Sequence, residues 1–227
     1  MRRPLFAAIL GCATIPAAAS AQVRVVDEGS LTITRAGQPI GREDYVIKQT
    51  PGASGPVYVA NAVVKYDDPA RRLSPALQVD IGGAPLAYQV EVTSGTELEQ
   101  KLSAVVGRGR ISQRTQTKRG EAAKEYVVAD GALVLDDDVF HQYYFLALRA
   151  VEGPVPVVIP RRNTQVQMRA SVRAPTTVEI DGTRIAARHL VLSAAGSPDR
   201  EVWVDEAGRL LRVRIGDLVA EREEAPR

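Results

Sequence analysis

From residue 31 onward the chain repeats one unit, a short run in which apolar and polar side chains alternate, closed by glycine, proline or aspartate. That pattern confines it to antiparallel strands joined by tight turns. Leu31 and Ile33 alternate with Thr32 and Thr34, Ala36-Gly37-Gln38-Pro39 makes a turn, and Glu43, Tyr45 and Ile47 then alternate with Asp44, Val46 and Lys48. The pair predicts a hairpin. Punctuation assigns residues 50–56 to a loop, and residues 57–66 read as a long strand broken by Asp67-Asp68-Pro69. Short strands over residues 77–81 and 86–92 flank Gly82-Gly83, and residues 110–118 and 124–128 bracket Gly120 as a further hairpin. In the last third, Asp181-Gly182 between β-branched runs is a strong hairpin signal, and Glu206-Ala207-Gly208 separates two more alternating runs.

Two segments carry helical spacing instead. Leu98, Leu102 and Val105 follow Ser94 and Glu97, which match a capping box over residues 94–106. Phe140, Tyr143, Tyr144, Ala147 and Leu148 form an apolar stripe after Asp136, Asp137 and Asp138, whose charge suits a helix N-terminus. The expected fold is mainly β: an antiparallel curled sheet or half-barrel of about ten strands, with one or two short helices packed on its concave side. The expected organisation is a leader over residues 1–21, one β-rich domain over residues 22–220, and a charged, frayed tail over residues 221–227.

The leader follows from Arg2 and Arg3, an apolar run over residues 5–13, and Ala19-Ser20-Ala21 before Gln22. Charged, apolar and small-residue regions in that order mark a secretory signal peptide cleaved after Ala21. Its apolar run is too short for a membrane span, which takes about 20 residues. Ile9-Leu10-Gly11-Cys12 resembles a lipobox, but only about six apolar residues precede Cys12, short of the usual leader core, so cleavage after Ala21 is the favoured expectation. The expected location is periplasmic or secreted.

Cys12 is the only cysteine, so a chain cleaved after Ala21 has neither disulfide nor thiol chemistry. The leader holds two of the 29 basic residues, which leaves 27 against 27 acidic ones. That balance argues against nucleic acid as a partner. His141 and His189 are the only histidines, too few for a cysteine/histidine zinc site. Asp136, Asp137 and Asp138 lack the glycine-spaced loop of a calcium site, so no metal and no cofactor is expected. No serine occupies a nucleophile elbow, and no zinc-protease or phosphate-loop motif occurs, so no catalytic residue is assigned. A hydrolytic site assembled from distant residues such as Asp205 and His189 stays as an alternative.

Phe140, Tyr143, Tyr144, Phe145 and Trp203 are candidate lining residues for an apolar cavity within the curled sheet, and also candidates for plain core. The first functional expectation is therefore a non-enzymatic periplasmic protein holding an apolar or lipidic ligand. The alternative is an envelope assembly protein that engages another protein through a sheet edge or the ribbon over residues 110–118.

The closing run Trp203, Asp205, Gly208, Leu210 and Val213 resembles the last hairpin of exported β-rich proteins of unknown function. Gly41, Glu43 and Tyr45 resemble the G-x-E-x-Y first hairpin of the same group. Those proteins are distantly similar to the periplasmic lipoprotein-carrier fold, so the resemblance implies a curled antiparallel sheet covering a helix and an apolar cavity. The chain lacks the amphipathic N-terminal helix of the carriers.

Overall fold

The computed structural model describes residues 22–149 and 152–226. The expected leader and Cys12 lie outside them. Strands β1 (Arg24–Arg35), β2 (Gln38–Gly52), β3 (Gly55–Asp67), β4 (Ala70–Asp80), β5 (Pro85–Ser94), β6 (Glu97–Gly107), β7 (Arg110–Thr117) and β8 (Gly120–Val127) form one continuous antiparallel meander. The chain then crosses the interior through β9 (Leu133–Val134), a single 3-10 turn (His141–Tyr143) and the helix α1 (Tyr144–Arg149). It meanders back through β10 (Gly153–Ile159), β11 (Thr164–Val172), β12 (Thr176–Ile180), β13 (Thr183–Ser193), β14 (Arg200–Val204), β15 (Leu210–Ile215) and β16 (Leu218–Arg222).

The halves join where β16 pairs antiparallel with β1, from Leu31 opposite Arg222 to Arg35 opposite Leu218. One sheet results, with β8 at one end and β9 at the other; only the short β9–β10 pairing is parallel. The sheet curls without closing into a barrel. Its ends meet through side chains instead: Gln113 on β7 donates to the Asn163 side chain at 2.9 Å and to the Pro160 carbonyl at 3.3 Å.

Alternation explains why one face is dry. Leu31, Ile33, Tyr45, Ile47, Val64, Leu73, Leu77, Val90, Val92 and Leu102 all point inward and are buried. Phe140, Tyr143 and Phe145, each no more than 2% exposed, fill the concavity they face. Fully burying a large apolar side chain contributes about 1.5–3 kcal/mol, so this filling is a main source of stability. A second cluster sits on the convex face. There the β12–β13 hairpin folds over the sheet, and Val178, Ile180 and Ala187 cover Trp203 and Leu211.

The expected curled antiparallel sheet is present, with sixteen strands among the described residues where about ten were expected. β6 lies in a region read as helix, β9, β10 and β16 lie in stretches to which no strand was assigned, and the region read as a loop lengthens β2 and β3. Residues 50–56 are a hairpin in which Pro51 faces Pro56 across a two-residue turn. Residues 94–106 are not helical: Gly95 has φ +56°, so Ser94 and Glu97 flank a turn rather than cap a helix, and Leu102, Ala104 and Val106 alternate inward on β6. The tail is also shorter than its charge implies. Glu221 and Arg222 belong to β16, and the Glu223 N–H donates to the Ser30 carbonyl at 3.0 Å.

Candidate functional site

The segment crossing the interior is fastened by buried charges, each supplied by a distant strand. Glu43 on β2 is fully buried, and its carboxylate accepts from the Phe140 N–H at 2.7 Å and the His141 N–H at 2.9 Å. The same carboxylate meets His141 Nδ1 in a short contact. Glu43 therefore satisfies the free N–H groups that open the 3-10 turn, a role the sequence assigns to the preceding aspartates. The His141 ring lies parallel to Tyr45, centroids 6.0 Å apart. Its Nε2 is buried with no hydrogen-bond partner among the described residues.

The aspartates instead bind side chains around the rim. Asp136 is buried and accepts from the Tyr88 hydroxyl at 2.7 Å and from Arg161 Nε at 2.8 Å. Its own N–H donates to the Gln142 side chain at 2.7 Å. Burial raises the Asp136 carboxyl above its ordinary range, against the opposing pull of Arg161 and the Tyr88 hydroxyl. Asp137 pairs with Arg162, and Asp138 pairs with Arg161 and Arg71. All three are therefore engaged by cations, which leaves none as a free ligand set.

A third anchor stitches the seam between the halves. Arg222, the last residue of β16, donates to Asp27 at 2.9 Å, to the Tyr45 hydroxyl at 2.8 Å and to the Leu210 carbonyl at 3.0 Å. Asp27 also accepts from the Tyr45 hydroxyl at 2.9 Å and the Leu210 N–H at 3.0 Å. A Cβ on Gly29 would lie 2.9 Å from Arg222 Nη2, so a side chain there would have to displace the guanidinium. At Gly41 the constraint comes from backbone, since a Cβ there would lie 2.3 Å from the Lys65 carbonyl.

Four of the five candidate lining residues come together, and Trp203 does not join them. Phe140, Tyr143, Tyr144 and Phe145 are packed inside the curl, with Tyr144 and Phe145 edge to face at 5.4 Å. Trp203 lies across the sheet, on its convex face, stacked on His189 at 4.5 Å, with the Arg212 and Arg214 guanidinium groups each 5.8 Å from its ring. His189 Nε2 lies 3.0 Å from Glu201, which also binds Arg214. Asp205 closes the β14–β15 turn by accepting from the Arg209 N–H at 2.8 Å. Its side chain also pairs with Arg209, and no hydrogen bond joins it to His189 among the described residues. Four clefts among the described residues lie outside the curl, and none of these four is lined by the aromatic residues of the interior.

Chemically, Glu43 and His141 form a carboxylate–imidazole pair, but both side chains are buried and bond no hydroxyl or thiol nucleophile among the described residues. The arrangement holds the interior segment rather than exposing reactive atoms. Seven of the eight residues on β8 are exposed, and its outer backbone edge pairs with no strand among the described residues. Sequence reading passed over Glu43, Asp27 and Arg222 as anchors. The available signal was a glutamate on an apolar face, between Gly41 and Tyr45.

No family model and no curated protein matches the chain. A solved structure described as a β-barrel-like protein of domain of unknown function DUF1849, from Brucella abortus, aligns with a TM-score of 0.51 at 14% identity, covering 88% of this chain and 94% of that one. A DUF1089 family protein from Pseudomonas aeruginosa aligns with a TM-score of 0.40 at 16% identity, covering 92% and 95%. The first likeness concerns the fold alone.

Proposed function

We propose that this is an exported, non-enzymatic protein of the cell envelope that engages a partner protein along open strand edges. The supporting observation is a contrast between inside and outside. The concavity where a ligand would sit is filled by residues 136–149, held through Glu43 and Asp136, while β8 leaves its outer edge unpaired. A free edge offers a row of N–H and C=O groups to an incoming strand. Photo-crosslinking in intact cells from position 123, where Ala123 is exposed, tests the reading. One dominant adduct that disappears on swapping the crosslinker to buried position 104 supports it. Equal, diffuse labelling from both positions contradicts it.

A second reading has an observation of its own. The interior segment is an aromatic stripe flanked by Gly131 and Gly153, both at positive φ, as a displaceable occupant of an apolar pocket would be. Under it, a lipidic molecule takes the place of Phe140, Tyr143, Tyr144 and Phe145. Mass spectrometry of organic extracts from purified protein decides: stoichiometric lipid supports this reading, and its absence removes it.

A further inference from the structure

The sheet has a notch in its middle as well as an edge at its end. Strand β1 runs from Arg24, but β16 pairs with it only from Leu31 onward. On that side, residues 24–29 have no neighbouring strand among the described residues, although β2 pairs with them on the other. The vacancy is a cleft of about 610 Å³. Residues 25–30 form one wall, and Arg222 and residues 223–226 form the other. At the rise of a strand, six residues of free edge measure about 20 Å.

The orientation of that edge follows from its neighbours. The Ser30 carbonyl accepts from the Glu223 N–H, so Ser30 turns its backbone toward the β16 side. Two residues back, the Glu28 carbonyl takes a hydrogen bond from Arg222 Nη2 on that same side. An antiparallel residue presents its N–H and C=O in one direction, so the Glu28 N–H also faces the notch. The Arg222 side chain thus supplies a donor where the next residue of a strand would.

The charges around the notch indicate its occupant. Three cations line the notch and each is engaged: Arg42 is paired with Asp44 and Glu223, Arg209 with Asp205, and Arg222 with Asp27. Glu28 and Glu224 are exposed, line the notch, and have no cation within ion-pair distance among the described residues. We propose that the notch takes an extended segment of a partner protein carrying lysine or arginine, which adds as a strand along residues 24–29 and neutralises Glu28 and Glu224. This deepens the edge-binding reading, on which it rests, by naming the edge and the chemistry of the partner.

Amide hydrogen exchange followed by NMR, with a synthetic eight-residue peptide of alternating lysine and valine as the probe, tests it. Saturating peptide is expected to slow exchange of the Glu28 amide at least tenfold. Replacing both acids, Glu28→Gln with Glu224→Gln, is expected to weaken the peptide at least fivefold; both positions are exposed, so the fold is retained. A peptide with glutamate in place of lysine is expected not to bind. Protection of β8 amides with none at Glu28 overturns the notch while leaving edge binding in place. No protection at either edge overturns both. A Glu28 amide already slow in dilute protein without peptide overturns the proposal, because the notch is then filled. Protection that grows with protein concentration alone overturns it in favour of a second copy.

Discussion

The Glu43 carboxylate on β2 and the His141 imidazole share a fully buried contact, and the same carboxylate accepts the main-chain N–H groups of Phe140 and His141. The residues lie 98 positions apart, so one side chain fixes where the crossing segment enters the curl. Glu43→Ala would strand two N–H groups and an imidazole in a dry interior. Each buried polar group left without a partner costs about 1–3 kcal/mol. The expected loss is therefore about 3 kcal/mol or more in urea unfolding, with Glu43→Gln intermediate because it keeps one acceptor oxygen. A loss below about 1 kcal/mol for the alanine variant would contradict this role.

Arg222 and Asp27 make the corresponding prediction at the seam. Removing one member of a buried ion pair costs about 3–5 kcal/mol, because the other charge stays behind, whereas replacing both with apolar groups is often close to neutral. Arg222→Met is expected to fall in that range, and Asp27→Leu with Arg222→Met to recover much of it. Chemical denaturation of the two variants, compared in a cycle with Asp27→Leu alone, checks the non-additivity.

Asp136 makes the pH dependence run against the usual carboxylate trend. Burial raises its folded-state value above the unfolded one, so the folded protein takes up this proton first as pH falls. Stability contributed at this residue then increases as pH drops through the folded value, and the gain is complete below the unfolded value of about 3.9. Asp136→Asn removes the titrating group beside Arg161 and serves as the reference. Relative to that variant, the wild type is expected to gain stability as pH falls from neutral toward the unfolded-state value of about 3.9. Paired urea titrations across that window read the sign directly, and a wild type that weakens relative to the variant would oppose it.

Trp203 and His189 provide an optical handle on the convex face. Their rings stack at 4.5 Å, and Trp203 is buried. His189→Ala is expected to uncover one face of the indole and move its emission to longer wavelength while the protein stays folded. An unchanged emission maximum would contradict the stack.

The strands were legible because alternation and turn chemistry are local. Asp181-Gly182 and Glu206-Ala207-Gly208 join strands as expected, with Gly182 and Gly208 at positive φ. Residues 94–106 misled because Leu98, Leu102 and Val105 fit helical spacing by coincidence, while inward-facing Leu102 and Ala104 follow the strand period that tertiary packing selects. The anchors were harder to see. Glu43 alternates in step with Tyr45 and Ile47, which places it on the buried face, but its partners lie in residues 140–141 and no local pattern names them. Trp203 was grouped with Phe140 because both are large and apolar. Sequence composition carries no information about which face of a sheet each one meets.

Hydrogen exchange at the Phe140 and His141 amides tests most directly whether the curl is closed by its own segment. Both N–H groups are bonded to a carboxylate that solvent does not reach, so they should exchange only when the whole molecule unfolds, with an opening free energy equal to global stability. Exchange several kcal/mol easier than global unfolding would mean that residues 136–149 leave the curl on their own, and the interior would then be open to a ligand.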